Sequence, residues 1–179
     1  DNIMYDNYEP DYSNYEPEPP ERFHDSVGMP SVPIDPMILA KEVIGQLQSY
    51  GLTVPTESTQ MFQDLCRGFN QCIYMNHNNE TAQTYVYSPK TGSAKSVTAK
   101  MYVSMLKKEA SLIVVSTVVD AVDFCEDINS WCRDNTYARC YYSSEDTIEN
   151  NTYKVEKKDL YNYRCIVITH NMFIRENQN

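Results

Sequence analysis

The clearest apolar period along the chain is helical and falls in residues 35–51. Leu39, Val43, Leu47 and Tyr50 lie near one face, with Ile44 beside them, which is the spacing of an amphipathic helix. Asp35 is placed to cap it, Pro36 takes the first helical position and Gly51 marks the stop. At residues 97–105 the period changes to two. Val97, Ala99, Met101, Val103 and Met105 alternate with Thr98, Lys100, Tyr102 and Ser104. That alternation predicts a half-buried strand, and the β-branched flanks favour it over the helix that the spacing of Val97, Met101 and Met105 would also allow. Residues 107–110 would turn it into a second strand over residues 112–119, apolar on both sides, so that the two form a long hairpin.

Further strands are expected at residues 84–87, followed by a turn containing Pro89 and Gly92, and at residues 153–156 and 161–169, a second hairpin turned at Lys157, Lys158 and Asp159. Residues 55–58 read as a linker and residues 59–66 as a short helical turn. The expected fold is therefore mainly β, built of long hairpins, with one N-terminal helix.

Residues 1–34 follow no period. Asp1, Asp6, Glu9, Asp11, Glu16, Glu18, Glu21 and Asp25 face only Arg22, and prolines crowd the same stretch. Such a segment buries too little apolar surface to offset its ordering entropy and is expected to be disordered. The chain thus divides into an acidic tail over residues 1–34, a helix and linker over 35–58, and a β-domain over 59–179. Tyr5, Tyr8, Tyr12 and Tyr15 each lie within a residue or two of an acid, the setting that tyrosine sulfation favours, and they are the sulfation candidates. The plainer readings of the tail are a solvated spacer or the remnant of a propeptide.

The net charge of −10 argues against nucleic-acid binding, which needs a basic surface, and against docking on an anionic membrane. No apolar run approaches the roughly 20 residues of a membrane span. The six cysteines, Cys66, Cys72, Cys125, Cys132, Cys140 and Cys165, are even in number and contain no CxxC pair. They read as a disulfide framework in a secreted chain rather than as a zinc site. Two sequons, at Asn79 and Asn150, agree with glycosylation outside the cell.

Motifs for catalysis are missing. His24, His77 and His170 share no metal spacing, and there is no P-loop, GxSxG or GxGxxG. Acids such as Glu126, Asp127, Glu145 and Asp146 read as solvated. The sequence is read as non-enzymatic, with no cofactor and no metal.

One family resembles this layout. Leu65-Cys66-Arg67 followed by Ile73 and Tyr74, the run from Val114 to Cys125 with Cys132 beyond it, and Cys140 with Tyr163-Arg164-Cys165-Ile166-Val167 are similar to the Spätzle and neurotrophin type of cystine-knot ligand. Val167 stands where the family has a second knot cysteine, and Cys72 is additional. The resemblance implies a secreted dimeric ligand of a cell-surface receptor. The bridges are expected to join Cys125, Cys132 and Cys140 to Cys66, Cys72 and Cys165. The functional expectation is a cytokine- or growth-factor-like glycoprotein with a protein partner, acting as a homodimer. Its alternatives are an inhibitor that grips a basic protein through the acidic tail and a structural matrix glycoprotein.

Overall fold

Asp35 accepts a hydrogen bond from the Met37 amide at 2.8 Å and starts α1 (Pro36–Ser49). The chain then leaves the helix through Gly51, at φ 77°. In the computed structural model residues 32–77 (side chains to residue 73), 86, 94–143 and 151–178 are described. Leu39, Val43 and Leu47 are buried, as the period requires, against α2 (Thr56–His77) and α3 (Lys95–Met105). Asn70 of α2 fastens the segment ahead of α1. Its Nδ2 donates to the Ile34 carbonyl at 2.8 Å, and its Oδ1 accepts from the Ile34 amide at 3.2 Å and from the Tyr102 hydroxyl at 2.9 Å.

The second half is an α/β layer. Strands β1 (Ser111–Val115), β2 (Ala138–Tyr141) and β3 (Cys165–Thr169) form one sheet in the order β1-β3-β2, with both pairings parallel. Helix α4 (Val118–Cys132) connects β1 to β2, a 3-10 helix (Lys157–Asn162) precedes β3, and α5 (His170–Asn177) follows it. Ser111 stands opposite Cys165, and Ala138 stands opposite Cys165 on the other side. One sheet face therefore carries Ile113, Val115, Cys140, Cys165, Val167 and Thr169. Its apolar members pack with Ala121, Cys125 and Ile128 of α4. The opposite face carries Leu112, Ile166, Ile168, Arg139 and Tyr141, and the Tyr141 hydroxyl donates to Glu176 of α5 at 2.7 Å. Helices thus stand on both faces, the arrangement that parallel strands require.

Several expectations are overturned. The fold is not mainly β, and no cystine knot or hairpin occurs among the described residues. Residues 97–105 lie in α3 rather than in a strand. This helix is enclosed by α1, α2 and α4, so Thr98, Lys100, Met101, Tyr102, Val103 and Ser104 are all buried. Burial on every side removes the amphipathic stripe that identifies a helix. Residues 106–110 connect that helix to β1, residues 157–162 are helical rather than a hairpin turn, and residues 56–58, expected as linker, open the 22-residue α2 that also holds residues 59–66.

No disulfide forms. Cys66, Cys72, Cys125, Cys132, Cys140 and Cys165 are all free thiols. The Sγ atoms of Cys125 and Cys140 approach to 3.1 Å, well beyond the roughly 2.05 Å of a bond between sulfurs. The tail tyrosines Tyr5, Tyr8, Tyr12 and Tyr15, the sequon residues Asn79 and Asn150, and the strand expected at residues 84–87 apart from residue 86 lie outside the described residues.

Candidate functional site

Two helices begin at the carboxyl edge of the sheet, and a third, α3, starts on the same side, packed on α4. β1 passes through Ser116 and Thr117 into α4, and β3 runs directly into α5. The direction of α3 follows from its far end. Tyr137, one residue ahead of β2, donates its hydroxyl to the Val103 carbonyl at 2.9 Å, so the last turn of α3 lies at the amino edge. Its first turn, Lys95-Ser96-Val97, therefore lies towards the carboxyl edge. Lys100 fixes this orientation by donating to Asp123 and, at 2.7 Å, to Asp127 of α4, with the Phe124 ring 4.5 Å away. Burial alone would lower the Lys100 pKa. The hydrogen bonds to Asp123 and Asp127 outweigh it and raise the value above 10.5.

The strand connections leave β1 and β3 towards opposite faces, since α4 covers one face and α5 meets Tyr141 on the other. A switch of this kind between neighbouring parallel strands marks, at their carboxyl ends, the place where open α/β sheets bind ligands.

The three helix starts differ. α4 closes its own: Thr117 Oγ1 accepts from the Asp120 amide at 3.0 Å and the Asp120 carboxylate accepts from the Thr117 amide at 3.2 Å, a complete capping box. Asp120 also makes that terminus unfavourable for an anion. Thr169 is the N-cap of α5, but it makes no capping bond, and its buried hydroxyl has no hydrogen-bond partner.

Ahead of α3 stands Ala94, at φ 58° in the left-handed region and with no side-chain cap. Thr98 pins this residue, its amide and its hydroxyl each donating to the Ala94 carbonyl at 3.0 Å. A left-handed residue followed by a right-handed helical turn aims successive backbone amides into one concavity, a nest for anions. Lys95 and Ser96, both exposed, open the helix there.

In sequence this reads Pro89-Lys-Thr-Gly-Ser-Ala94-Lys95-Ser96. The phosphate-loop pattern is Gly, four residues, Gly-Lys-Ser/Thr at the start of a helix. Lys95 and Ser96 match it, while Pro89 and Ala94 occupy the two glycine positions. The strict pattern is therefore absent. The sequence signal is Gly92 with Lys95-Ser96, which by itself reads as a turn leading into a strand.

The buried cysteines form no reactive centre. Cys125 of α4 and Cys140 and Cys165 of the sheet are fully buried where helix and sheet meet, and the Cys140 thiol also contacts the Ala121 carbonyl at 3.3 Å. The Cys125 thiol is pushed up, first by its hydrogen bond with Cys140 and then by burial. Burial, then Cys140, pushes Cys165 up to about 12. Burial, then Asp35, pushes Cys66 up to about 11. Thiols held neutral in this way are poor nucleophiles and poor ligands. Among the described residues no cluster of His, Cys, Asp and Glu could hold a metal ion, and no helix is long and apolar enough to cross a membrane. Asp127 is committed to Lys100, Glu126 is exposed on α4 and His170 is the exposed first residue of α5. His24, Glu145 and Asp146 lie outside the described residues, as does the His77 side chain.

Comparison with protein-family models, curated proteins and solved structures yields no match.

Proposed function

We propose that this chain is a phosphate-binding α/β domain whose ligand is a nucleoside triphosphate, held at the first turn of α3. The observation that carries the reading is Ala94 in the left-handed region immediately before Lys95-Ser96, where α3 starts beside α4 on the carboxyl side of a parallel sheet. The amides of the first turn have no acceptor within the helix, and the helix dipole favours negative charge there. In this reading Lys95 supplies a formal positive charge and Ser96 a hydroxyl that reaches a phosphate-bound cation. The unpartnered Thr169 hydroxyl, buried at the α5 start on the same side, is a second unsatisfied polar group near that edge. Six free thiols accord with reducing surroundings. The receptor-ligand reading drew on a knot of disulfides, and the free thiols remove that support.

Titration of the full chain with a fluorescent nucleoside triphosphate and magnesium tests the proposal. Saturable binding that weakens at least tenfold in Lys95→Ala, with circular dichroism unchanged, is the expected result. Absence of saturation at millimolar nucleotide, or equal affinity in Lys95→Ala, overturns it.

A further inference from the structure

The charge of the chain is divided unevenly. Residues 1–31 hold eight carboxylates against Arg22 and carry −7 of the total of −10. The amino edge of the sheet has the opposite sign. Lys107 and Lys108 precede β1, Arg133 follows α4, and Arg164 precedes β3. Arg139 reaches back to this edge, donating to the Asn135 carbonyl at 2.6 Å. Arg164 donates to the Lys107 carbonyl, which ties two of these loops together. Glu109 and Asp134 are the carboxylates among them. The carbonyl ends of α3 and α4 add about half a negative charge each, so the five cations still leave this edge positive.

Aromatic rings frame the patch. The Arg139 guanidinium lies 5.0 Å from the Tyr163 ring centroid and 5.8 Å from that of Tyr153. Such stacking fixes the guanidinium plane at little further entropic cost when it takes a carboxylate.

We propose that the acidic segment of residues 1–31 docks on this basic amino edge of its own domain, using its carboxylates against Lys107, Lys108, Arg133, Arg139 and Arg164. Charge complementarity and covalent linkage both argue for this occupant. The segment joins the domain just before Ile34, which Asn70 fastens to α2. Thirty-one residues of random chain would span roughly 30 Å, and proline and like charges lengthen that reach, enough for the far side of a domain this small. Tethering then gives an effective concentration of about a millimolar, so weak charge contacts suffice. The amino edge lies about 17 Å, the length of a five-residue strand, from the carboxyl edge. The docked segment therefore leaves the first turn of α3 accessible, and the inference is independent of the nucleotide reading.

Zero-length carbodiimide coupling of the full chain, mapped by mass spectrometry, provides the test. The expected result is preferential coupling of carboxylates in residues 1–31 to Lys107 and Lys108 at low salt. It should be lost in 1 M NaCl, where the screening length falls to about 3 Å. Couplings from the remaining Asp1, Asp6, Glu21 and Asp25 should also weaken when Glu9, Asp11, Glu16 and Glu18 are replaced by their amides. Mixing isotopically light and heavy chains should give light–light and heavy–heavy products only. Coupling spread evenly over Lys41, Lys154 and Lys158, or products that join light to heavy chains, overturns the proposal. So does binding of a single-stranded oligonucleotide that is lost in Lys107→Glu/Arg133→Glu while no couplings from the segment form, since the edge would then belong to nucleic acid.

Discussion

Asn129 of α4 and Ala138 of β2 exchange two hydrogen bonds. The Ala138 amide donates to Asn129 Oδ1 at 2.7 Å, and Asn129 Nδ2 donates to the Ala138 carbonyl at 3.1 Å. Both residues are buried, and this side chain completes the start of β2 where the sheet has no further strand to do so. Asn129→Ala leaves the Ala138 amide without an acceptor, although its carbonyl keeps the Arg139 contact at 2.9 Å. The expected loss is about 2–3 kcal/mol, the desolvation cost of one buried donor plus lost packing. Urea denaturation measures it, and a loss below 1 kcal/mol would show that water replaces the side chain.

Lys100 should make the fold sensitive to alkali. Its pKa is raised above the ordinary 10.5 in the folded state. The stabilisation it gives is therefore complete below pH 10.5 and is lost as pH rises through the folded value. Lys100→Met should cost about 1–3 kcal/mol near pH 7, less than a fully buried pair, because the Asp123 side chain is 62% exposed. Denaturation curves of the two proteins should converge at strongly alkaline pH. A gap that stays constant would show that packing, and not charge, accounts for the cost.

Thr169→Val should stabilise the protein. The hydroxyl of Thr169 is buried without a hydrogen-bond partner, and valine keeps the shape while removing the unsatisfied group. The expected gain is about 1–2 kcal/mol in the absence of ligand, read as a rise in melting temperature. A drop would mean that an ordered water serves this hydroxyl.

Thiol chemistry separates the free-cysteine core from a bridged one. Under native, non-reducing conditions Cys72, which is exposed, should react first with a maleimide and the half-buried Cys132 more slowly. Cys66, Cys125, Cys140 and Cys165 should react only after denaturation, when all six label. Fewer than six labels in denaturant, with no reductant added, would restore disulfides to the account.

What the sequence disclosed depended on how each segment is buried. α1 carries one buried stripe, a cap and a stop, so it was legible from residues 35–51. The apolar runs around β1 and β3 were legible as strands, but their direction was not, because parallel pairing is set by helices that cover both faces. α3 was misread because neighbours on all sides leave it no polar stripe. The cysteines misled most. Cys66, Cys125, Cys140 and Cys165 behave here as small apolar residues that fill the core, and an even count carries no sign of that. The α3 start carries no clear sequence signal because its left-handed position holds Ala94 rather than glycine.

The strand order has a consequence for how the chain comes to be folded. β3 is the last strand in sequence, yet it lies between β1 and β2, which do not touch each other. Until residue 165 and its followers are in place, neither earlier strand has a neighbour in the sheet. During synthesis the layer over α4 must wait for β3 to enter the gap between them. A chain that stops short of residue 165 would hold two strands that cannot pair as they do here, with the apolar residues of β1 open to association. Closing the sheet joins Ser111 to Cys165 across 54 positions, a long-range step of the kind that sets the pace of folding.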